Sequence, residues 1–253
     1  FTEPWNRADT IVLVHGIAEN SKVWYAWVPH LAARYQIIRL DLRGWGKSTI
    51  PPDGYPWSTT NFARDIVTLL DKLKLQKVHL VGAKTGGTIA LQFAHNYPER
   101  LHSLNVIGAP LSWKWRPQSQ DHAKTVSEKG LKYWARSTMP NRLGDVPKEM
   151  TEWWVALFCQ NSPQVVAEIL AYFRTVDLTH LLPEIHVPTL VIIGESEALA
   201  PQKVFINWQQ SLRDSELVII PSKAYHLAAT QPEQCTSAII SFLDKLQKGH
   251  IVY

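Results

Sequence analysis

The sequence predicts an α/β fold, in which a mostly parallel, twisted sheet is flanked by helices and a helical segment is inserted between two strands. Along most of the 253 residues, short apolar runs bounded by turn residues alternate with longer stretches of helical period. Residues 110–182 interrupt this alternation, because they contain no convincing strand. We therefore expect a core domain formed by residues 1–109 and 183–253, with residues 110–182 as a helical cap.

Six runs are predicted to be strands. All are apolar and rich in β-branched residues, as is typical of strands that are buried on both faces of a parallel sheet. They are residues 10–16, 35–42, 77–83, 101–109, 188–195 and 215–222.

Five amphipathic stretches between these runs are predicted to be helices. They are residues 21–34, 60–74, 86–97, 202–212 and 231–246. In the second stretch one face is expected to pack on the sheet, and its apolar residues are Phe62, Ile66, Leu69, Leu70 and Leu73.

The inserted segment is rich in tryptophan. Five lie within it: Trp113, Trp115, Trp134, Trp153 and Trp154. Most of them are expected to pack in the interior of the cap. Since apolar walls exclude water from a pocket, we also expect some to face a substrate.

Composition and charge exclude several classes of partner. The net charge of +4 comes from scattered basic residues, so no nucleic acid partner is expected. No apolar run is long enough to span a membrane. The two cysteines, Cys159 and Cys235, form no CxxC pair and belong to no metal-ligand cluster, which favours a cytoplasmic protein without a metal.

Because the chain begins close to its first strand, we expect residues upstream of Phe1.

Polar residues collect where predicted strands end, which is where ligands bind in open parallel sheets. Four such segments are VHGIAENSKVW (14–24), GAKTGG (82–87), GESEALAP (194–201) and SKAYHLAATQPEQ (222–234). Lys84, Glu197 and His226 follow three different strands in this order. The turn DLRGWGKS (41–48) lies at the end of a fourth strand.

These segments, in this order, resemble the α/β-hydrolase fold family, which carries a Gly-x-Ser-x-Gly nucleophile elbow and a triad in the order Ser, acid, His. The resemblance implies that His226 is the base and Glu197 the acid. It also implies that the backbone N–H groups of Ile17 and Thr85 form an oxyanion hole. The chain departs from the family at the centre of the elbow, Gly82-Ala83-Lys84-Thr85-Gly86, where lysine replaces serine.

Four tryptophans are expected to contact the substrate. Trp24 is similar to the family's aromatic residue at the start of the first helix, and the other three belong to the inserted segment: Trp113, Trp115 and Trp154.

A lysine at the elbow excludes the usual serine mechanism, because an acyl group on lysine is a stable amide. The leading hypothesis is cofactor-independent hydrolysis of an ester, a lactone or a ketonic C–C bond in a small carbonyl compound, with Lys84, His226 and Glu197 in the site. An alternative is a lyase that forms a Schiff base on Lys84 for retro-aldol, retro-Claisen or decarboxylation chemistry. A third is an inactive ligand-binding homologue or an engineered serine-to-lysine variant. A monomer or a homodimer is expected.

Overall fold

The computed structural model describes residues 9–113, 121–195, 201–222 and 224–249. Within these ranges six parallel strands form one sheet in the order β2-β1-β3-β4-β5-β6. The strands are β1 (Thr10–Val14), β2 (Gln36–Arg39), β3 (Val78–Ala83), β4 (Leu101–Ile107), β5 (Thr189–Gly194) and β6 (Ser215–Ile220). The predicted α/β fold is confirmed, because each strand lies inside one of the six predicted runs.

Helices cover the sheet and form the inserted segment. The α-helices are α1 (Val28–Leu31), α2 (Thr59–Lys72), α3 (Thr85–Asn96), α4 (His122–Lys129), α5 (Leu131–Leu143), α6 (Lys148–Phe158), α7 (Pro163–Phe173), α8 (Gln202–Gln209), α9 (Leu227–Thr230) and α10 (Pro232–Gly249). Shorter 3₁₀ helices are Ser21–Trp24, Pro98–Arg100 and Thr179–Glu184. Helix α3 packs on β3 and β4, and α10 packs on β4 and β5. No helix in the described ranges is both long and apolar enough to cross a membrane.

The predicted helix over residues 21–34 is wrong as a single element. It consists of the 3₁₀ turn Ser21–Trp24 and the short α1. Pro29 lies in the first turn of α1, where its missing N–H group costs no hydrogen bond, so the proline starts a new helix there. Trp24 and Trp27 are both buried, with their rings 4.8 Å apart.

Helices α4 to α7 lie between β4 and β5 in the chain. Helix α4 packs against α5 and α7, and α5 packs against α6. The rings of Trp134 and Phe158 stack between α5 and α6 with centroids 5.7 Å apart. An isolated bridge between Ser112 and Asp177 joins the two ends of the insertion. The inserted helices thus form a layer with an aromatic interior.

The parallel sheet brings several loops to one edge. Strands β1, β3 and β6 run in the same direction, so the residues that follow them, including His15, Lys84 and His226, emerge at the same side of the sheet.

Candidate active site

Lys84 occupies a strained turn between β3 and α3. Its backbone has φ 56° and ψ −127°, a positive φ that a lysine rarely adopts. The Lys84 N–H donates to the carbonyl of Ile107 over 2.9 Å, and the Lys84 carbonyl accepts from the N–H of Gly87 over 2.9 Å. This is the geometry of a nucleophile elbow, in which the side chain is carried on a sharp turn from strand to helix.

The elbow requires Gly86. A Cβ at this position would collide with the carbonyl oxygens of Val14 and His15 in the neighbouring strand and loop. Helix α3 therefore begins in direct backbone contact with the end of β1, which places Lys84 beside the loop that follows β1.

His226 is bonded to Glu19, a residue that the sequence did not single out. His226 Nε2 lies 2.7 Å from Glu19 Oε1, and both side chains are buried, with exposed fractions of 2% and 1%. Glu19 Oε2 accepts a hydrogen bond of 3.0 Å from the Gly16 N–H. Burial raises the pKa of the Glu19 carboxyl group, but the attraction and hydrogen bond of His226 and the Gly16 N–H outweigh it and hold the pKa below its ordinary value. Glu19 is therefore a buried carboxylate.

The acid predicted from the sequence, Glu197, lies outside the described residues and stays a prediction. Glu19 is separated from His226 by 207 positions, so no local pattern joins them. One signal could have found it, since Glu19 belongs to the segment VHGIAENSKVW at the end of β1, where chemistry collects in this fold.

The inserted helices hold His226 from the other side. The His226 N–H donates to the carbonyl of Arg142 over 3.0 Å, and the Tyr225 N–H donates to the carbonyl of Asn141 over 3.3 Å. The imidazole lies against the ring of Trp154, with centroids 4.9 Å apart. Helices α5 and α6 thereby fix both the backbone and the ring of the histidine.

The side chain of Lys84 is buried in an aromatic setting. It is 5% exposed, and its Nζ lies 4.4 Å from the centroid of the Tyr225 ring, within cation–π range. Beside it is a small cavity of about 30 Å³, counted as the space that the centre of a water molecule can occupy. The cavity is lined by Ile17, Glu19, Lys84, Thr85, Pro110, Trp113, His122, Trp134, Arg142, Leu170 and Tyr225. His226 does not belong to this lining, but it contacts Glu19, which does.

Ile17 and Thr85 both line the cavity, but they are bonded to each other, which is not the arrangement of a conventional oxyanion hole. The Ile17 N–H donates to the hydroxyl oxygen of Thr85 over 3.0 Å. In a hydrolase such an N–H donates to the substrate oxygen on which negative charge develops. In this structure a side chain of the elbow takes that bond instead.

The tryptophans expected at the substrate are placed differently from one another. Trp113 lines the cavity, and Trp154 contacts His226. Trp24 is buried in the core against Trp27, whose indole N–H donates to the carbonyl of Ala228 over 2.7 Å, two residues after the histidine. Trp115 lies outside the described residues.

His15 braces the loops around the site. Its Nε2 accepts from the Leu42 N–H over 3.0 Å, and its Nδ1 lies 2.8 Å from the carbonyl of Gly16, to which it donates. Burial lowers the pKa of His15, which keeps the ring neutral and able to accept. In the described part of the chain, no group of three or more His, Cys, Asp or Glu side chains could hold a metal ion.

Known proteins share this architecture. Residues 9–230 match the profile of a family described as alpha/beta hydrolase fold. A pimeloyl-[acyl-carrier protein] methyl ester esterase of Aeromonas hydrophila is 26% identical over 262 residues, which cover 95% of this chain and 98% of the relative. A thermophilic esterase of Thermogutta terrifontis, solved with malate bound, is 26% identical, with a TM-score of 0.84 over 94% of this chain and 92% of that one.

An enol-lactonase of Burkholderia xenovorans LB400 has the same fold, with a TM-score of 0.87, 20% identity and coverage of 96% of this chain and 94% of that one. The named relatives and the family support a hydrolase. With the elbow between β3 and α3 and the family profile extending over most of its length, the chain belongs to the α/β-hydrolase fold family.

Proposed function

We propose that the protein is a cofactor-independent hydrolase that cleaves a small ester, a lactone or a ketonic C–C bond by direct attack of water. The observation that carries this proposal is the buried contact between Glu19 and His226 beside Lys84. A buried carboxylate costs several kcal/mol in desolvation. Ionisable groups that are buried together in a cleft are typical of catalytic sites.

Water is the nucleophile in this mechanism. An acyl group on Lys84 would be an amide, which the site could not release, so no acyl-enzyme forms. A water molecule in the cavity attacks the carbonyl carbon while the Glu19–His226 pair takes its proton. The bond from this carbon to the leaving oxygen or carbon then breaks, and the pair returns the proton to the leaving atom.

Lys84 supplies positive charge in this mechanism. The Ile17 N–H is bonded to Thr85, so the developing oxyanion loses one of its two predicted backbone donors, and Lys84 lines the same cavity. A charge that is held in place in a pocket shielded from water stabilises a transition state more than the same charge in solution does.

The inserted helices act as a cap in this proposal. A cavity of about 30 Å³ holds one or two water molecules, which is too little for a carbonyl substrate with its substituents. Helices α4, α5 and α7 supply part of its lining, so access requires these helices to move.

The test is turnover of a p-nitrophenyl ester, an aromatic lactone and a β-diketone by the wild type and by Glu19→Gln and His226→Ala. We expect turnover of at least one compound, and a loss of kcat of roughly 100-fold or more in both variants, because general acid–base catalysis contributes at least that much. Glu99→Gln, at an exposed position, is the matched control and should keep full activity. Unchanged turnover in Glu19→Gln would contradict the mechanism, and binding without turnover would favour a ligand-binding protein.

A Schiff-base lyase is the second candidate, and the burial of Lys84 favours it. An amine in an apolar pocket near a second cation, here Arg142, is the usual setting of imine-forming lysines. Borohydride with a β-diketone should then leave a stable mass adduct on the peptide that contains Lys84 and none in Lys84→Met. Absence of the adduct in the wild type, with a β-diketone that the protein cleaves, would remove this candidate.

A further inference from the structure

Arg142 stands at the C-terminal end of α5, where its side chain lines the cavity. Its guanidinium carbon lies 5.0 Å from the centroid of the Phe158 ring, 5.2 Å from that of Trp134 and 5.7 Å from that of Tyr225. Three aromatic rings therefore surround the group and hold it in place.

Arg142 differs from most other arginines in the described part of the chain. Five of those arginines lie within ion-pair distance of a carboxylate: Arg34, Arg43, Arg100, Arg136 and Arg174. Arg142 donates from Nε to the hydroxyl oxygen of Thr138 over 3.2 Å and makes no ion pair within the described ranges. A half-buried guanidinium without a carboxylate partner is costly to keep inside a protein, which indicates a partner that arrives from outside.

The charge of the cavity leads to the same conclusion. Among the described residues that line it, Arg142 and Lys84 face Glu19, the one acid. Both oxygens of Glu19 already have partners, His226 and the Gly16 N–H. The guanidinium of Arg142 is therefore not bonded to the one acid among these described lining residues.

From this geometry we infer that Arg142 binds a carboxylate of the substrate, so that the preferred substrates are esters or lactones that carry a free carboxylate, such as half-esters of dicarboxylic acids. This inference rests on the proposed hydrolytic function. A guanidinium binds a carboxylate through two parallel hydrogen bonds, which also fixes its orientation.

The test compares mono-p-nitrophenyl glutarate with its neutral methyl ester. The wild type should prefer the anionic ester in kcat/KM by roughly 10- to 100-fold, since the free energy that a hydrogen bond to a charged group contributes corresponds to about that factor. In Arg142→Met the ratio of kcat/KM for the two esters should fall to about one, because the variant can no longer bind the carboxylate. Arg136→Met is the matched control, because Arg136 lies on the same helix but pairs with Glu152 at the surface. A wild type without the preference, or an Arg142→Met variant that keeps it, would overturn the inference.

Binding of glutarate itself, measured by calorimetry, separates this inference from the proposed function. If no ester is hydrolysed but glutarate binds the wild type and not Arg142→Met, the carboxylate site is supported and the proposed hydrolytic function is contradicted. If esters are hydrolysed but glutarate binds both proteins equally, the hydrolytic function is supported and the carboxylate site is contradicted. Should Arg142→Met unfold, Arg142→Lys keeps the charge without the planar group and should weaken glutarate binding. Unchanged binding in Arg142→Lys, or phosphate binding as tightly as glutarate, would overturn the inference.

Discussion

At the scale of single residues, Glu19 contacts a different nitrogen of the histidine from the one that the acid of a catalytic triad contacts. In a Ser-His-Asp triad the histidine contacts the serine through Nε2 and the acid through Nδ1. Here Nε2 is held by Glu19, which comes from the loop after β1. In a triad Nε2 activates the nucleophile, but here Nε2 of His226 is bonded to the carboxylate of Glu19 instead.

This geometry predicts that Lys84→Ser does not recover a serine hydrolase. The new hydroxyl would lack a base, because Glu19 occupies Nε2 of His226. We expect Lys84→Ser to react with a fluorophosphonate probe no faster than a surface serine, as measured by intact mass over time. Lys84→Ala, treated in parallel, gives the background rate. Stoichiometric labelling of the Lys84→Ser variant at the elbow within minutes would show that His226 can turn to serve the new hydroxyl.

At the scale of elements, the elbow depends on the contact of α3 with the end of β1. Gly86→Ala places a methyl group against the carbonyl oxygens of Val14 and His15, which belong to backbone that cannot easily move. We expect a loss of about 3 kcal/mol or more in the free energy of unfolding, measured by urea denaturation. Alanine is the better helix former, so the loss is steric.

Gly54→Ala is the control for this substitution. Gly54 has a positive φ of 76°, but no neighbouring atom lies within 4 Å of the position that a Cβ would take, so only backbone strain of about 1 kcal/mol is expected. An equal loss in the two variants would mean that the contact between α3 and β1 is not tight.

The central strand β3 carries a buried histidine that makes the sheet sensitive to acid. Burial, followed by the nearby His102, lowers the pKa of His79 from 6.5 to about 4. Above pH 6.5 the ring is neutral in both the folded and the unfolded protein. Between pH 6.5 and 4 the unfolded protein binds a proton that the folded protein does not. The free energy of unfolding therefore falls as the pH falls through this window, by about 3 kcal/mol at pH 4.

We expect His79→Gln to remove most of this pH dependence. Denaturation by urea at pH 7, 5.5 and 4.5 measures it. His30→Gln, at an exposed position in α1, should follow the wild-type curve. Parallel curves for His79→Gln and the wild type would contradict the shifted pKa.

At the scale of the whole molecule, the two cysteines differ in burial, so their reactivity distinguishes the folded protein from the denatured one. Cys159 is exposed, whereas Cys235 is buried in α10, where burial raises its pKa to about 12. Only thiolates react with disulfide reagents, so Cys235 should be inert in the folded protein. We expect one thiol to react with DTNB in buffer and the second only in denaturant. Two fast thiols in buffer would indicate that α10 opens readily.

The sheet could be predicted from the sequence because each strand is a local apolar run between turns. Such a pattern needs no knowledge of distant residues. The elbow at Lys84 could be predicted for the same reason, since its glycines are adjacent in the chain. Glu19 could not be assigned to His226, because their contact exists only after β1 and the loop following β6 are brought to one edge of the sheet. The break between Trp24 and Val28 could not be predicted, because Trp24, Trp27 and Leu31 have the spacing of one apolar helix face across it.

The backbone hydrogen bond from the His226 N–H to the carbonyl of Arg142 attaches the histidine to helix α5. In the proposed mechanism, a movement of α5 that admits a substrate therefore also removes one support of the imidazole. Entry of the substrate and its cleavage are then separated in time, because the histidine regains this support only when α5 has returned.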